Sequence, residues 1–244
     1  MTPSRPARAA KNVRWWIRRQ GWDLVRYGGG IARVQQHAWT SLGVDLVIDV
    51  GANEGQYVRD LRLRGYTRQV LSLEPGSTAY ARLERQARDD RAWDVRRAAI
   101  GRKAGHATLG VSHNLQSSSL LEISDEHVNA AADAAFVTQE QVEVVPLDEL
   151  AVAPDRRVWL KLDCQGSEAD ALDGGSALLD QVHVIQCEMS LREMYRGEST
   201  IDMLLPRLVG LGFEPIWIEP GFLDPRTGAA LQVEVLLTKP TAHM

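Results

Sequence analysis

The sequence predicts an α/β fold in which a mostly parallel sheet is covered by helices on both faces. From Leu46 onward, short apolar segments alternate with stretches of helical periodicity, a pattern typical of parallel strands that are buried on both sides. A glycine-containing turn follows the first apolar segment, and an acidic residue, Glu74, ends the second. Both features favour a ligand site at the carboxyl edge of the sheet.

Seven short apolar runs are the predicted strands of this sheet. They are residues 46–50, 70–73, 93–99, 158–162, 182–187, 214–219 and 233–238. Helical spacing predicts helices over residues 57–63, 79–88, 167–179 and 201–211. The interval 101–150 departs from the alternation, because HATLGVS and VEVVPLDEL within it indicate extra strands. We interpret this interval as an insertion that shapes the substrate end of the fold.

The composition is that of a globular protein that buries a full core. With 244 residues, of which 44% are hydrophobic and 25% charged, the chain is neither disordered nor collagen-like. No apolar run reaches the roughly 18 residues that a membrane span needs. Two cysteines, Cys164 and Cys187, fit neither a disulfide framework nor a zinc site, so we expect reduced, packed thiols and a cytoplasmic protein.

A basic leader, residues 1–44, precedes the predicted core domain, residues 45–244. Residues 1–33 hold eight basic residues and one acidic residue, a net charge of +7, whereas the other 211 residues hold 20 basic and 31 acidic residues, a net charge of −11. Residues 13–37 show helical spacing, which is interrupted by three glycines at Gly28–Gly30. The aromatic side chains of this leader include Trp15, Trp16 and Trp22.

The leader has two alternative interpretations. Arginines beside tryptophans suit peripheral contact with an anionic membrane through residues 1–33. The tryptophans would equally suit docking onto the core, where the leader caps the substrate, or onto a second subunit in a homodimer. Nucleic acid is disfavoured as a partner, because the acidic body repels phosphate.

The segment VIDVGANEGQY, residues 47–57, predicts a cofactor-binding turn. Gly51 and Gly55 lack side chains that would block a ligand from the backbone and from the next helix. Asn53 replaces the second glycine of a dinucleotide fingerprint, which disfavours a pyrophosphate. Glu74, placed 23 residues after Gly51, can accept hydrogen bonds from both hydroxyls of a ribose. These residues together indicate a ribose-bearing cofactor without a pyrophosphate.

Five motifs give the sequence a family resemblance. Through VIDVGANEG, LEP, SSSL, KLDCQGSE and CEMSLREMYRG, in this order across about residues 45–240, it resembles the FkbM-type S-adenosylmethionine-dependent methyltransferases. The resemblance implies the class I methyltransferase fold, a Rossmann-like sheet of seven strands that is parallel except for its last strand. It also implies that S-adenosylmethionine lies across the carboxyl ends of the first strands. The implied cofactor-binding residues are Asp49, Gly51, Asn53, Glu54, Gly55, Tyr57, Glu74, Pro75, Ile100 and Asp163.

Two carboxylates are the candidate catalytic pair. Asp163 follows the predicted strand 158–162, and Glu188 ends the next strand, so both should face the reacting centre. An alcohol acceptor must lose a proton, either to a carboxylate or histidine or through a bound Mg²⁺ that lowers the pKa of its hydroxyl. Asp163 and Glu188 are the only residues proposed for such an ion. The alternatives are a helix cap ahead of Ser167 for Asp163, and a solvated charge at a strand end for Glu188.

His113, beside the SSSL segment, is the histidine best placed to act as the base. Lys161 and Glu168 belong to the KLDCQGSE motif, where a buried ion pair between them would explain both residues as well as catalysis does. The resemblance favours transfer of a methyl group to a hydroxyl of a sugar or secondary metabolite, with a glycolipid as one such acceptor. Methylation of a carboxyl or amine, and a non-catalytic cofactor-binding scaffold, are the alternatives.

Overall fold

A seven-stranded sheet is the centre of the computed structural model, which describes residues 30–240. The described strands are β1 (Leu46–Val50), β2 (Gln69–Leu73), β3 (Trp93–Arg96), β4 (Ala99–Ile100), β5 (Gly105–Ser112), β6 (Phe136–Val145), β7 (Val158–Leu162), β8 (Val182–Ser190), β9 (Glu214–Pro220) and β10 (Gln232–Thr238). The central sheet has the order β3-β2-β1-β7-β8-β10-β9. All its strands are parallel except β10, which pairs antiparallel with both β8 and β9. The predicted sheet is therefore confirmed.

Helices cover both faces of this sheet. They are α1 (Ile31–Ser41), α2 (Gln56–Leu63), α3 (Ser77–Ala87), α5 (Glu168–Asp173) and α6 (Ile201–Gly210), whereas α4 (Asp125–Ala130) belongs to the insertion. On one face α1, α2 and α3 bury apolar side chains against Trp159 of β7 and Leu236 of β10. On the other face α5 and α6 pack against Leu160 and Val235. The central strands β1, β7 and β8 are consequently buried on both sides, which is why their sequences are largely apolar.

A second, three-stranded sheet of order β4-β6-β5 joins two strands of the insertion, β5 and β6, to β4, which directly precedes it. The predicted strand 93–99 is wrong in extent, because it ends at Arg96 and Ala99 and Ile100 pair instead with Val144 and Val145 of β6. The second predicted extra strand ends at Val145, since Pro146 has no N–H to donate and a 3₁₀ turn follows at Leu147–Glu149. The insertion thus has its own small core.

The predicted helix 167–179 is shorter than expected. It ends at Asp173, and the following Gly174 approaches the backbone of Gly101 so closely that a Cβ would lie 2.2 Å from the Gly101 carbonyl oxygen. Only glycine fits at this position, where the helix ends, and a separate 3₁₀ turn follows at Leu178–Asp180.

The described end of the leader is a layer of the core. The ring of Trp39 on α1 lies 6.4 Å from that of Trp159 and 5.6 Å from that of Tyr66, measured between centroids. Gln35 Nε2 donates a 2.9 Å hydrogen bond to Gln186 Oε1. The helix predicted over residues 13–37 lies outside the described residues up to position 29, as do its three tryptophans. Among residues 30–240, no helix combines the length and the apolar character that crossing a membrane requires.

Candidate active site

A cavity of about 260 Å³ opens at the carboxyl edge of the central sheet. Its walls come from the turn after β1, the end of β2, the insertion, and strands β7 and β8. Many of the predicted site residues line it, namely Gly51, Asn53, Tyr57, Glu74, Pro75, Ile100, Asp163 and Glu188. Residues of the insertion, including Leu109, Ser118 and Ser119, close the opposite wall.

The glycines of the turn serve the protein's own packing. A Cβ on Gly51, whose φ is +76°, would lie 1.7 Å from the carbonyl oxygen of Asp163. A Cβ on Gly55, whose φ is +87°, would lie 2.7 Å from Cη2 of Trp93. We predicted that both glycines leave room for a ligand, but protein atoms occupy that space. Gly51 lines the cavity, whereas Gly55 lies beneath it against Trp93.

Asp49 supports the cavity from below instead of lining it. This carboxylate is fully buried, and its register neighbours are Ser72 on β2 and Lys161 on β7. Ser72 Oγ donates to Asp49 Oδ2 at 3.1 Å, and Lys161 Nζ lies 3.3 Å from Asp49 Oδ1. Burial raises the pKa of Asp49, although Lys161 opposes this shift. The prediction that Asp49 touches the cofactor is therefore corrected, and its structural role is to position Lys161.

Glu54 and His113 face away from the cavity. The Glu54 carboxylate pairs with Arg82 on the surface. His113 is exposed, and its backbone N–H bonds to the carbonyl oxygen of Ala135 at 3.1 Å. Neither side chain is among the described residues that line the cavity. The structure therefore does not bring the predicted histidine base to the predicted carboxylates.

Glu74 presents a buried carboxylate to the cavity. Its Oε2 accepts the backbone N–H of Asn53 at 2.9 Å, and its Oε1 accepts that of Gly76 at 2.8 Å. Burial raises the pKa of Glu74 to about 7, although these two N–H groups oppose the shift. Asn53 Oδ1 is buried without a hydrogen-bond partner in the described structure. A pair of ribose hydroxyls fits this carboxylate, because each of its oxygens keeps a lone pair.

Gln165 joins the two predicted catalytic carboxylates. Its Nε2 donates to Asp163 Oδ1 at 2.6 Å and to Glu188 Oε2 at 3.0 Å. An amide donor therefore stands where a shared cation would have to lie. Residues 30–240 hold no group of three or more His, Cys, Asp and Glu side chains that could bind a metal ion. The residues present do not fit the Mg²⁺ considered from the sequence.

Glu188 is a partly buried residue in the interior of β8, whereas the alternative of a solvated charge required a strand end. The strand continues to Ser190, and Glu188 lies opposite Glu234 of β10. Its Oε2 accepts a second amide bond, 3.0 Å from Gln232 Nε2, so both amide donors are on one oxygen. Burial, together with the charges of Asp163 and Glu234, raises the pKa of Glu188 well above its ordinary value.

Lys161 pairs with aspartates, so the predicted Lys161–Glu168 pair is wrong. Lys161 Nζ lies 3.2 Å from Asp163 Oδ2 and 5.2 Å from the ring centroid of Tyr57. Glu168 instead accepts the backbone N–H of Cys164 at 2.9 Å. The alternative role of Asp163 as a helix cap is also not observed, since its side chain contacts Lys161 and Gln165.

Two residues that organise the site were not predicted. Tyr195 Oη lies 2.6 Å from Gln165 Oε1 and 3.1 Å from the carbonyl oxygen of Ser117. Ser119 Oγ donates to the Gln165 carbonyl oxygen at 2.6 Å. Gln165 and Tyr195 both lie inside motifs quoted for the family resemblance, but no spacing rule distinguishes them from neighbouring polar residues. Their importance follows from contacts across the fold.

The sheet order, with an acidic residue at the end of β2 facing a cavity at the carboxyl edge, is that of the class I methyltransferase fold. Residues 49–215 match the methyltransferase FkbM domain, and the chain belongs to this family. The protein is accordingly a methyltransferase that uses S-adenosylmethionine. No curated protein matches the sequence.

Several solved methyltransferases are similar in fold. A 1,6-didemethyltoxoflavin-N1-methyltransferase from Burkholderia thailandensis, solved with S-adenosylhomocysteine bound, is 12% identical over 99% of this chain and 93% of its own, with a TM-score of 0.49. An S-adenosylmethionine-dependent methyltransferase from Mesorhizobium loti is 11% identical over 87% of this chain and 100% of its own, with a TM-score of 0.48. An rRNA methylase from Streptococcus thermophilus is 13% identical over 86% and 96%, with a TM-score of 0.47.

Proposed function

We propose that the protein transfers a methyl group from S-adenosylmethionine to a hydroxyl of a sugar or another secondary metabolite, including a glycosyl hydroxyl of a glycolipid. The observation that carries this proposal is the position of Glu188. Its carboxylate lines the same cavity as Glu74, with both amide donors on Oε2, which leaves Oε1 for an acceptor hydroxyl.

The donor half of the cavity fits the cofactor. Glu74 would accept the ribose hydroxyls, Asn53 offers its buried side-chain oxygen to a donor, and Ile100 provides an apolar wall. When bound, S-adenosylmethionine supplies an electrophilic methyl group on its sulfonium. The protein's contribution is to hold the acceptor oxygen in line with that methyl group, an effect that can lower a barrier by about 7–11 kcal/mol.

Glu188 is the candidate general base. Because burial and neighbouring carboxylates raise its pKa, its ionised form is a better proton acceptor than an ordinary glutamate. Asp163 is held by Lys161 at 3.2 Å and by Gln165 at 2.6 Å, which suits a role in orienting the acceptor and Gln165. The proton of the acceptor hydroxyl would pass to Glu188 Oε1 as the oxygen forms its new bond to carbon.

The insertion supports a hydroxyl-rich acceptor. Gln116, Ser118 and Ser119 place amide and hydroxyl groups on the wall that faces Asp163 and Glu188. The Gln116 amide can both donate and accept hydrogen bonds, whereas the Ser118 and Ser119 hydroxyls donate to the carbonyl oxygens of Leu115 and Gln165 and offer a lone pair to a sugar hydroxyl. A wall of this kind would bind a polyol without any charged group on the acceptor.

Incubation with methyl-labelled S-adenosylmethionine and a panel of sugars, glycosides and glycolipids tests the proposal by mass spectrometry. Label that survives mild alkali and maps to a carbon-bound oxygen would support it. Loss of the label in mild alkali would assign carboxyl methylation, and label on nitrogen would assign amine methylation. A wild-type protein that binds the cofactor but gives no more product than Glu188→Gln on every acceptor would favour the scaffold.

We also propose that the protein acts in the cytoplasm, on the basis of its two unpaired cysteines. Peripheral membrane contact through residues 1–33 and a homodimer stay predictions. Flotation with anionic vesicles and the mass of the particle in solution would test each of them.

A further inference from the structure

Four carboxylates lie side by side on four adjacent strands of the central sheet. Glu188 of β8 is opposite Glu234 of β10, and Glu234 is opposite Glu219 of β9. Asp163 continues this line, because the preceding Leu162 pairs with Cys187, the residue before Glu188. Directly opposed residues point to the same face of a sheet. This carboxylate row, Asp163, Glu188, Glu234 and Glu219, runs from the cavity to the β9 edge.

The carboxylate row is short of positive charge. Among the ion pairs of residues 30–240, Lys161 is the one cation that touches it, at 3.2 Å from Asp163. Glu234 Oε1 is buried without a hydrogen-bond partner in that part of the chain. Burial raises the pKa of Glu234 to about 7, with further contributions from Asp163 and Glu219. A buried acceptor without a donor is costly, so the outer end of the row calls for a cation.

The chain itself reaches the described structure at this outer end. Gly30 begins the segment that leads into α1, which covers the same face of the sheet through the Gln35–Gln186 hydrogen bond. A Cβ on Gly30 would lie 3.9 Å from Glu219 Oε2 and 3.9 Å from Trp217. The 29 residues before Gly30 carry one acidic residue, Asp23, and seven basic residues. The basic residues are Arg5, Arg8, Lys11, Arg14, Arg18, Arg19 and Arg26.

We propose that basic residues of segment 1–29 pair with the carboxylate row and cover its outer side. Four Cα-to-Cα steps link Arg26 to Gly30 and span at most about 14 Å. Three strand spacings of about 4.8 Å, hence about 14 Å, separate Asp163 from Glu219 along the row. Arg26 can therefore reach Glu219 or Glu234, and Arg18 and Arg19 can reach further toward Glu188. The proposal does not depend on which acceptor the enzyme methylates.

Guanidinium groups are well suited to this position. Arginine stays charged when partly buried and forms charge-assisted hydrogen bonds to carboxylates, often with two oxygens at once. A membrane surface or a second copy of the chain could also use the basic segment. Neither would explain why the uncompensated carboxylates lie where the chain enters the fold.

Thermal unfolding of full-length variants tests the proposal by a double-mutant cycle. The leader variant combines Arg14→Gln, Arg18→Gln, Arg19→Gln and Arg26→Gln, and the row variant combines Glu219→Gln and Glu234→Gln. We expect the leader substitutions to lower the midpoint by about 2–4 °C in the natural chain and by less than about 1 °C in the row variant. High salt should reduce the first shift.

Glu214→Gln is the matched control, because Glu214 is an exposed carboxylate at the opposite end of β9. In the Glu214→Gln variant, the leader substitutions should lower the unfolding midpoint by as much as they do in the natural chain. An equal loss in the natural chain and the row variant would overturn the proposal, as would a loss that depends on Glu214.

Amide hydrogen exchange provides a second readout that does not require a change in midpoint. The leader variant should exchange faster than the natural chain over residues 219–222 and 232–234. Unchanged exchange there would overturn the proposal. Additive thermal shifts together with binding to phosphatidylglycerol vesicles would assign the basic residues to a membrane and would overturn it as well.

Discussion

Tyr195 Oη lies 2.6 Å from Gln165 Oε1, and this contact determines which end of the Gln165 amide faces the carboxylates. Because a phenol donates to the amide oxygen, the amide nitrogen is left to donate to Asp163 and Glu188. The orientation of the Gln165 amide between Asp163 and Glu188 is thus set by a residue on a separate segment, beyond the end of β8.

Removing that phenol should weaken catalysis without affecting the cofactor. In Tyr195→Phe the Gln165 amide loses one hydrogen bond, which typically contributes about 0.5–1.5 kcal/mol, and it becomes free to turn its oxygen toward the carboxylates. We expect kcat to fall by roughly tenfold with an unchanged Kd for S-adenosylmethionine. Steady-state kinetics would measure kcat and calorimetry the Kd, with Tyr80→Phe as the control that should change neither value. An equal loss of cofactor affinity would contradict the positioning role.

Replacing Glu188 should abolish most of the turnover. If Glu188 accepts the acceptor proton, Glu188→Gln should lower kcat by about 10²–10⁴-fold while the cofactor still binds. The base must be ionised and burial raises its pKa, so the rate of the natural enzyme should fall as the pH drops through that raised pKa. A pH profile of single-turnover rates would show this limb. A flat profile, or a fully active Glu188→Gln, would exclude Glu188 as the base.

Cofactor affinity should depend on pH near neutrality. Glu74 has a pKa of about 7, and its ionised form is the better acceptor of ribose hydroxyls. We therefore expect the Kd for S-adenosylmethionine to rise by up to about tenfold for each pH unit below that pKa. Glu74→Gln should bind more weakly and lose this dependence. Calorimetry at pH 6 and pH 8 would test both, with Glu54→Gln, outside the cavity lining, expected to behave like the natural chain.

Ionisation of the buried Glu168 carboxyl group should destabilise the fold as the pH rises. Burial raises its pKa from 4.5 to about 7, so the folded state holds the proton more tightly than the unfolded state does. The associated stability is complete below about pH 4.5 and is lost as the pH rises through 7. Glu168→Gln keeps an oxygen for the Cys164 N–H but never ionises. At pH 8 the free energy of unfolding of Glu168→Gln should exceed that of the natural chain by up to about 3 kcal/mol, which raises the urea midpoint. At pH 5 the two proteins should unfold at the same urea concentration.

A difference that stays the same at both pH values would show that ionisation of Glu168 is not its cause. Glu149→Gln, at an exposed position, is the control and should leave the urea midpoint unchanged.

Substitution of Gly51 by alanine should lower the stability of the fold far more than the same substitution at another glycine with positive φ. Gly51→Ala would place its Cβ 1.7 Å from the Asp163 carbonyl oxygen, whereas Gly65, with φ +95°, has nothing within 4 Å. Gly65→Ala should therefore show only the backbone strain of about 1–2 kcal/mol. Gly51→Ala should lose considerably more stability and displace Asp163. Similar unfolding midpoints for the two variants would contradict the close packing of this turn.

The middle of the central sheet was predictable because burial on both faces makes strands β1, β7 and β8 largely apolar. The break between β3 and β4 at residues 97–98 was not predictable from the sequence, since Ala99 and Ile100 are as apolar as a central strand. Only their pairing with Val144 and Val145 reveals the second sheet. The glycine turn was predicted correctly as a turn. Its physical cause was not, because Asp163 and Trp93 come from distant parts of the sequence.

The site residues divide in the same way. Glu74, Asp163 and Glu188 follow from their places at the carboxyl ends of predicted strands, and all three line the cavity. Asp49 was placed at the cofactor by resemblance, although strand alternation turns its side chain toward Ser72 and Lys161. The role of Gln165 depends on where Tyr195 and Ser119 lie in space, which no local pattern in the sequence records.

The two walls of the cavity have different origins in the chain. Glu74 and the turn after β1 belong to the central sheet, whereas Leu109, Ser118 and Ser119 belong to an inserted unit with a core of its own. The proposed acceptor wall can therefore vary in sequence while Glu74 and its turn stay unchanged. We expect an exchange of residues 101–150 between relatives to alter acceptor selectivity when Glu140, which holds Ser77 beside the donor half of the cavity, is retained.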